Sequence, residues 1–210
     1  MTGNAVPVAK PATTSDAARI GLRILLIFGM AALGSAASAD TDDDVADVFS
    51  GIVRYSQWPD APATLRICVN EQDRAALLAI TRRFSEEAAS APAGGALVSG
   101  NPGPVRVQVV SRAIDVGGIA ALLECHAIYF GDPMVMARRP TVMAMVARLI
   151  NLPILTVGHG EDFCSWGGLF CLSPSEAGWR IRANLDSISR SGLRVNAQLL
   201  RLTQRERGQS

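Results

Sequence analysis

The chain has a single lysine, Lys10, among 210 residues and only two histidines, His126 and His159. Beyond residue 10 this excludes a P-loop lysine, a Schiff-base lysine and a lysine general base. Aromatic residues make up 5% of the chain and the formal net charge is +1. Neither a basic footprint nor the stacking surfaces of a nucleic-acid binder is present, so no nucleic-acid partner is expected. A nucleophile elbow, a zinc-protease histidine pair and an internal repeat are also missing. Gly158-His-Gly160 opens like a dinucleotide fingerprint, but Phe163 stands where the third glycine belongs. The acidic run Asp40-Thr-Asp-Asp-Asp44 lacks the glycine at position six and the glutamate at position twelve of a calcium loop.

What is present is an ordinary globular composition, 49% apolar and 19% charged. Residues 1–39 read as an export signal. Lys10, Arg19 and Arg23 supply the positive region, Ile24 to Leu33 the apolar core, and Ala37-Ser38-Ala39 the small-residue cleavage site. The core is about half the roughly 20 residues of a spanning helix, which argues against an anchor. Cleavage leaves residues 40–210 as one domain and, with three basic and one acidic residue lost, shifts the charge from +1 to −1.

Export sets the meaning of Cys68, Cys125, Cys164 and Cys171. An even number in an oxidising compartment reads as two disulfides, with three pairings open. The six residues between Cys164 and Cys171 include Gly167 and Gly168, so that loop can close on itself and leave Cys68 with Cys125. The chain-entropy contributions are about 4 kcal/mol for the long loop and about 2.5 kcal/mol for the short one. The paired short spacings of a thiolate metal site are absent, so neither metal nor cofactor is expected.

Along the mature chain, the acidic run favours a helix start, and Val45, Val48, Phe49 and Ile52 continue it at helical spacing to about Tyr55. Leu65 to Val69 predicts a strand and Asn70 a cap for a helix to about Glu87. Ser90 to Pro104, rich in Gly and Pro, reads as a loop. Strands follow at Val105–Val110, His126–Phe130 and Ile154–Gly158, with helices between them from Asp115, Asp132 and Arg139. Strands 168–172 and 179–183 flank a turn as an antiparallel hairpin, and Asn184 and Asn196 cap two last helices. The fold expected is a three-layer α/β/α sandwich, mainly parallel, with a C-terminal antiparallel hairpin.

Chemistry is scarce. His159, beside Glu161 and Asp162, follows a strand end where open α/β sheets bind ligands, yet no activated nucleophile accompanies it, so a solvated loop histidine is the favoured reading. His126, within an apolar strand, reads as structural, and Arg180 and Arg182 as solvated charges. Trp166, Leu169, Phe170 and Leu172, with Leu185 and Ile188, form an apolar cluster that favours a partner-binding face.

Phe49-Ser-Gly-Ile-Val-Arg-Tyr-Ser-Gln-Trp-Pro59, Leu65-Arg-Ile-Cys-Val69, Cys125-His-Ala-Ile-Tyr-Phe130, Ile154-Leu-Thr-Val157, Gly167-Gly-Leu-Phe-Cys-Leu172 and Asn184-Leu-Asp-Ser-Ile-Ser-Arg-Ser-Gly-Leu-Arg-Val195 together resemble the YfiR family of periplasmic proteins. The resemblance spans nearly the whole mature chain. It implies a non-catalytic repressor that binds the periplasmic sensor region of an inner-membrane diguanylate cyclase, lowering cyclic-di-GMP and biofilm formation. Further partners in that reading are an outer-membrane-associated lipoprotein and a second copy of the chain. It implies the same cysteine pairing, and Phe170 and Ile188 match positions of partner contact. Arg182 occupies a contact position where an acidic residue can occur. The stretch from Ala91 to Pro104 is long for the family. The alternative is a periplasmic sensor module whose loops near His159 take a small metabolite.

Overall fold

A computed structural model describes residues 36–91, 105–115, 117–176 and 178–204. The chain divides into a unit of residues 1–38 and a unit of residues 39–210. The sheets lie in the second. The apolar core of the expected leader, most of the Gly/Pro-rich stretch and the end of the polar tail fall outside the described residues. Among the described residues no helix is long and apolar enough to cross a membrane.

Helix α1 (Ala36–Arg54) begins earlier than the acidic run predicts, so its first turn holds no acid. Asp43 of that run pairs with Arg82 of helix α2 (Arg74–Ser90), and Asp47, one turn on, pairs with Arg83 at 2.6 Å. Val45, Phe49, Ile52 and Val53 keep the expected helical spacing and are buried. Asn70 does not cap α2. It is the last residue of its strand, and Asp73 takes the cap, its carboxylate accepting from the Ala76 N–H at 3.2 Å.

The strands β2 (Thr64–Asn70), β3 (Arg106–Arg112), β4 (Ala127–Phe130), β5 (Leu155–His159), β6 (Phe170–Ser175) and β7 (Gly178–Ala183) form one sheet in the order β3-β2-β4-β5-β6-β7. Every neighbouring pair is parallel except β6 with β7. The expected hairpin is therefore present, and its first arm is also a fifth parallel strand, joined to β5 with Val157 opposite Phe170. Two-residue strands that the sequence does not announce, β1 (Ser56–Gln57) and β8 (Arg194–Val195), pair antiparallel apart from this sheet.

Alternation along each strand divides the apolar residues into two cores. One holds Leu65, Ile67, Val69, Tyr129, Val157, Phe170 and Leu172 from the strands, with Phe49 and Ile52 from α1, Ile80 and Phe84 from α2, Ile188 from α7 (Leu185–Ser191) and Leu199 from α8 (Ala197–Gln204). The other holds Cys68, Ile128 and Phe130 beneath α3 (Ile119–Leu122), α4 (Asp132–Ala137), α5 (Arg139–Leu149) and α6 (Glu161–Ser165), which supply Leu122, Met134, Val142, Met145, Val146, Leu149 and Phe163. The layers are thus helices, sheet, helices.

Phe163 is fully buried and packs its ring against the backbones of Gly158 and Gly168. A Cβ placed on Gly158 would meet its ring at 2.5 Å, and one on Gly168 would meet the ring and the Phe163 carbonyl. The Gly168 N–H donates to that carbonyl at 3.0 Å, closing the turn after α6. Gly158→Ala and Gly168→Ala are each expected to destabilise by about 2 kcal/mol or more, because the displaced ring has no space to enter. Gly51→Ala, at a half-buried site in α1 where an added Cβ meets nothing within 4 Å, is expected to stabilise by about 0.5–1 kcal/mol through helix propensity. Urea denaturation midpoints of the three variants check both signs.

Candidate functional site

The two disulfides join neighbouring elements. Cys68 of β2 bonds Cys125, just before the adjacent β4, with Cα atoms 5.9 Å apart, and Cys164 of α6 bonds Cys171 of β6 with Cα atoms 5.7 Å apart. The second bond, with the Phe163 contact, ties α6 onto the sheet.

Phe170, Arg182 and Ile188 do not form one exposed face. Phe170 is 0% exposed and faces Ala183 across the β6-β7 pair, whereas Arg182 faces Cys171 on the opposite side of the sheet. There the Arg182 guanidinium donates to Glu161 at 2.8 Å. Ile188 is 8% exposed and packs in the same core as Phe170. The apolar cluster read as a docking face is mostly interior, since a strand that enters a sheet covered on both sides buries both of its faces. Its exposed member is Leu185, at 46%, one turn before Ile188 on α7. Around it Asp186 pairs with Arg190, and the Asn184 side chain caps the helix by accepting from the Ser187 N–H at 3.1 Å.

His159 is not a solvated loop residue. It closes β5 and is 7% exposed. Its Nε2 shares a hydrogen bond of 2.5 Å with the Tyr129 hydroxyl, and its ring stands edge-on to Tyr129 and Trp179. Periodicity hid this, because a histidine at the end of an apolar strand looks the same whether the chain leaves or stays in the sheet. A cleft of ≈ 310 Å³ borders it, where Arg139 sits over Trp166 and pairs with Asp162 at 2.5 Å. The charges of that cleft are thus engaged with one another and with Arg182.

His126 sits at the other end of the sheet. Its Nδ1 accepts from the Arg66 N–H at 3.0 Å, and its carbonyl accepts from the Trp58 indole N–H at 3.1 Å and the Leu155 N–H at 2.9 Å. Burial, then the nearby Arg66 charge, hold its pKa below the ordinary histidine value. The folded state therefore binds fewer protons than the unfolded one. The stability carried by neutral His126 is complete above the unfolded value of about 6.5 and falls as the pH drops below it. Wild type is expected to lose more in unfolding temperature between neutral pH and about pH 5 than His126→Asn, whose side-chain oxygen can still accept from Arg66 but cannot titrate. Differential scanning calorimetry across that range measures the difference.

Residues 43–204 match the family model described as YfiR/HmsC-like. That span reaches from α1 to the end of α8 and takes in both disulfides and every strand described above. The chain belongs to the YfiR/HmsC-like family.

Proposed function

We propose that the protein is an exported, non-catalytic regulator that binds the periplasmic sensor region of an inner-membrane diguanylate cyclase and holds the enzyme inactive. The observation that carries this reading is the family match across residues 43–204. Two disulfides suit an oxidising compartment such as the periplasm. Binding alone does not repress. The protein must bind the inactive cyclase more tightly than the active one, each tenfold of difference being worth about 1.4 kcal/mol.

The contact surface in this proposal is the outer side of α7. Leu185 supplies an exposed apolar anchor, rimmed by the Asp186–Arg190 pair, in the pattern of an apolar centre with a charged border. Ile188 and Phe170 lie beneath and fix the position of the helix. They influence the contact by support, and Arg182 by holding Glu161 and α6 on the other face. A second reading, small-metabolite sensing beside His159, draws on the ≈ 310 Å³ cleft there.

Leu185→Asp is expected to weaken binding to the isolated cyclase sensor region at least about tenfold while changing folding stability by less than about 0.5 kcal/mol. Phe170→Asp, which buries a carboxylate in the core, is expected to fail to fold. Isothermal titration calorimetry on the folded Leu185→Asp protein decides the matter, and wild-type affinity would contradict the assigned face.

A further inference from the structure

A second cleft, of ≈ 380 Å³, lies at the end of the sheet away from His159, between the segment after β1 and the loops that enter β4 and β5. Open α/β sheets bind ligands beyond the carboxyl ends of their strands. This cleft is at the amino ends and is not the site the fold type supplies. Trp58, Leu123, Leu152 and Pro153 give it apolar walls, and His126 and Asp60 give it polar groups. Such a combination, mainly apolar with a few placed polar groups, is the usual make-up of a small-molecule site.

The polar groups are specified by their surroundings. Trp58 is held in place because its indole N–H is bound to the His126 carbonyl. The Arg66 N–H occupies His126 Nδ1, which fixes the proton on Nε2 and makes that nitrogen a donor. Glu124 also borders the cleft, but its carboxylate is taken by Arg66 at 2.8 Å and Arg112 at 3.7 Å. Among the described residues Asp60 has no such partner, and it is exposed. The lining therefore presents one uncommitted negative charge, one neutral donor and an aromatic wall.

We propose that this cleft binds a small amphipathic amine, with an apolar body against Trp58 and Leu152, an ammonium group at Asp60 and an oxygen acceptor at the Nε2–H of His126. A ring-bearing amine also gains from lying beside the Trp58 face. The inference does not rest on the cyclase reading, since the cleft and the α7 surface share no residue.

The test uses two probes with the same hydroxyphenyl body and opposite charge, tyramine and 3-(4-hydroxyphenyl)propanoate. The readout is the Trp58 indole N–H resonance in the full-length oxidised protein, identified by its loss in Trp58→Phe. Tyramine is expected to shift it saturably, with the propanoate binding at least about tenfold more weakly. Asp60→Asn, an exposed change that leaves the melting temperature in place, is expected to weaken tyramine about tenfold and narrow the gap between the probes. His126→Asn is expected to weaken both. No saturable shift with tyramine up to about 10 mM, equal affinity for the two probes, or an unaltered Asp60→Asn protein would each overturn the proposal.

Discussion

The contact of the Phe163 ring with the bare backbones of Gly158 and Gly168 is the constraint on which the C-terminal half of the molecule depends. With no side chain on either glycine, α6 can sit directly on β5 and on the turn leading into β6. That placement brings Cys164 to Cys171, Glu161 to Arg182 and Asp162 to Arg139. It also admits β6 as a parallel neighbour of β5, which puts Phe170 and Leu172 into the core that supports α7. A close-packed interior transmits such a fixed spacing outward, because its elements have nowhere to relax.

The covalent bonds follow the same logic. Each disulfide links partners that the sheet or the α6 turn already holds close, Cys68 with Cys125 across β2 and β4, Cys164 with Cys171 across α6 and β6. Their thermodynamic effect therefore lies mainly in restricting the unfolded chain. Both ends of the sheet carry a histidine whose ring is anchored, His126 by the Arg66 backbone and His159 by Tyr129, and only His126 borders a cleft with an uncommitted charge.

Much of this was legible in the residues. The alternating helices and short apolar strands announced the sandwich, and the strand cores at Leu65, Val107, Ile128, Leu155 and Phe170 fall where the pattern put them. The small β1-β8 pair gave no signal, being two residues long on each side. Gly158 looked like the start of a broken dinucleotide fingerprint, and the residue that broke it, Phe163, is the one the glycine accommodates. That Phe170 and Ile188 lie in the interior was not legible, because clustering in sequence does not distinguish an exposed patch from a strand buried on both sides. Parity along β6 and β7, which separates Phe170 from Arg182, requires the register of that pair. The amino-end cleft was invisible for a similar reason, since Trp58, Asp60, His126 and Leu152 come together only through the order of the strands.

The central claim is that the protein represses cyclic-di-GMP synthesis through the outer side of α7. The direct measurement is the cellular cyclic-di-GMP level in the source organism with the gene deleted, then restored as wild type or as Leu185→Asp. A rise on deletion that wild type reverses and Leu185→Asp does not is the predicted result. An unchanged level on deletion would contradict the regulatory account, and full reversal by Leu185→Asp would contradict the surface assigned to it.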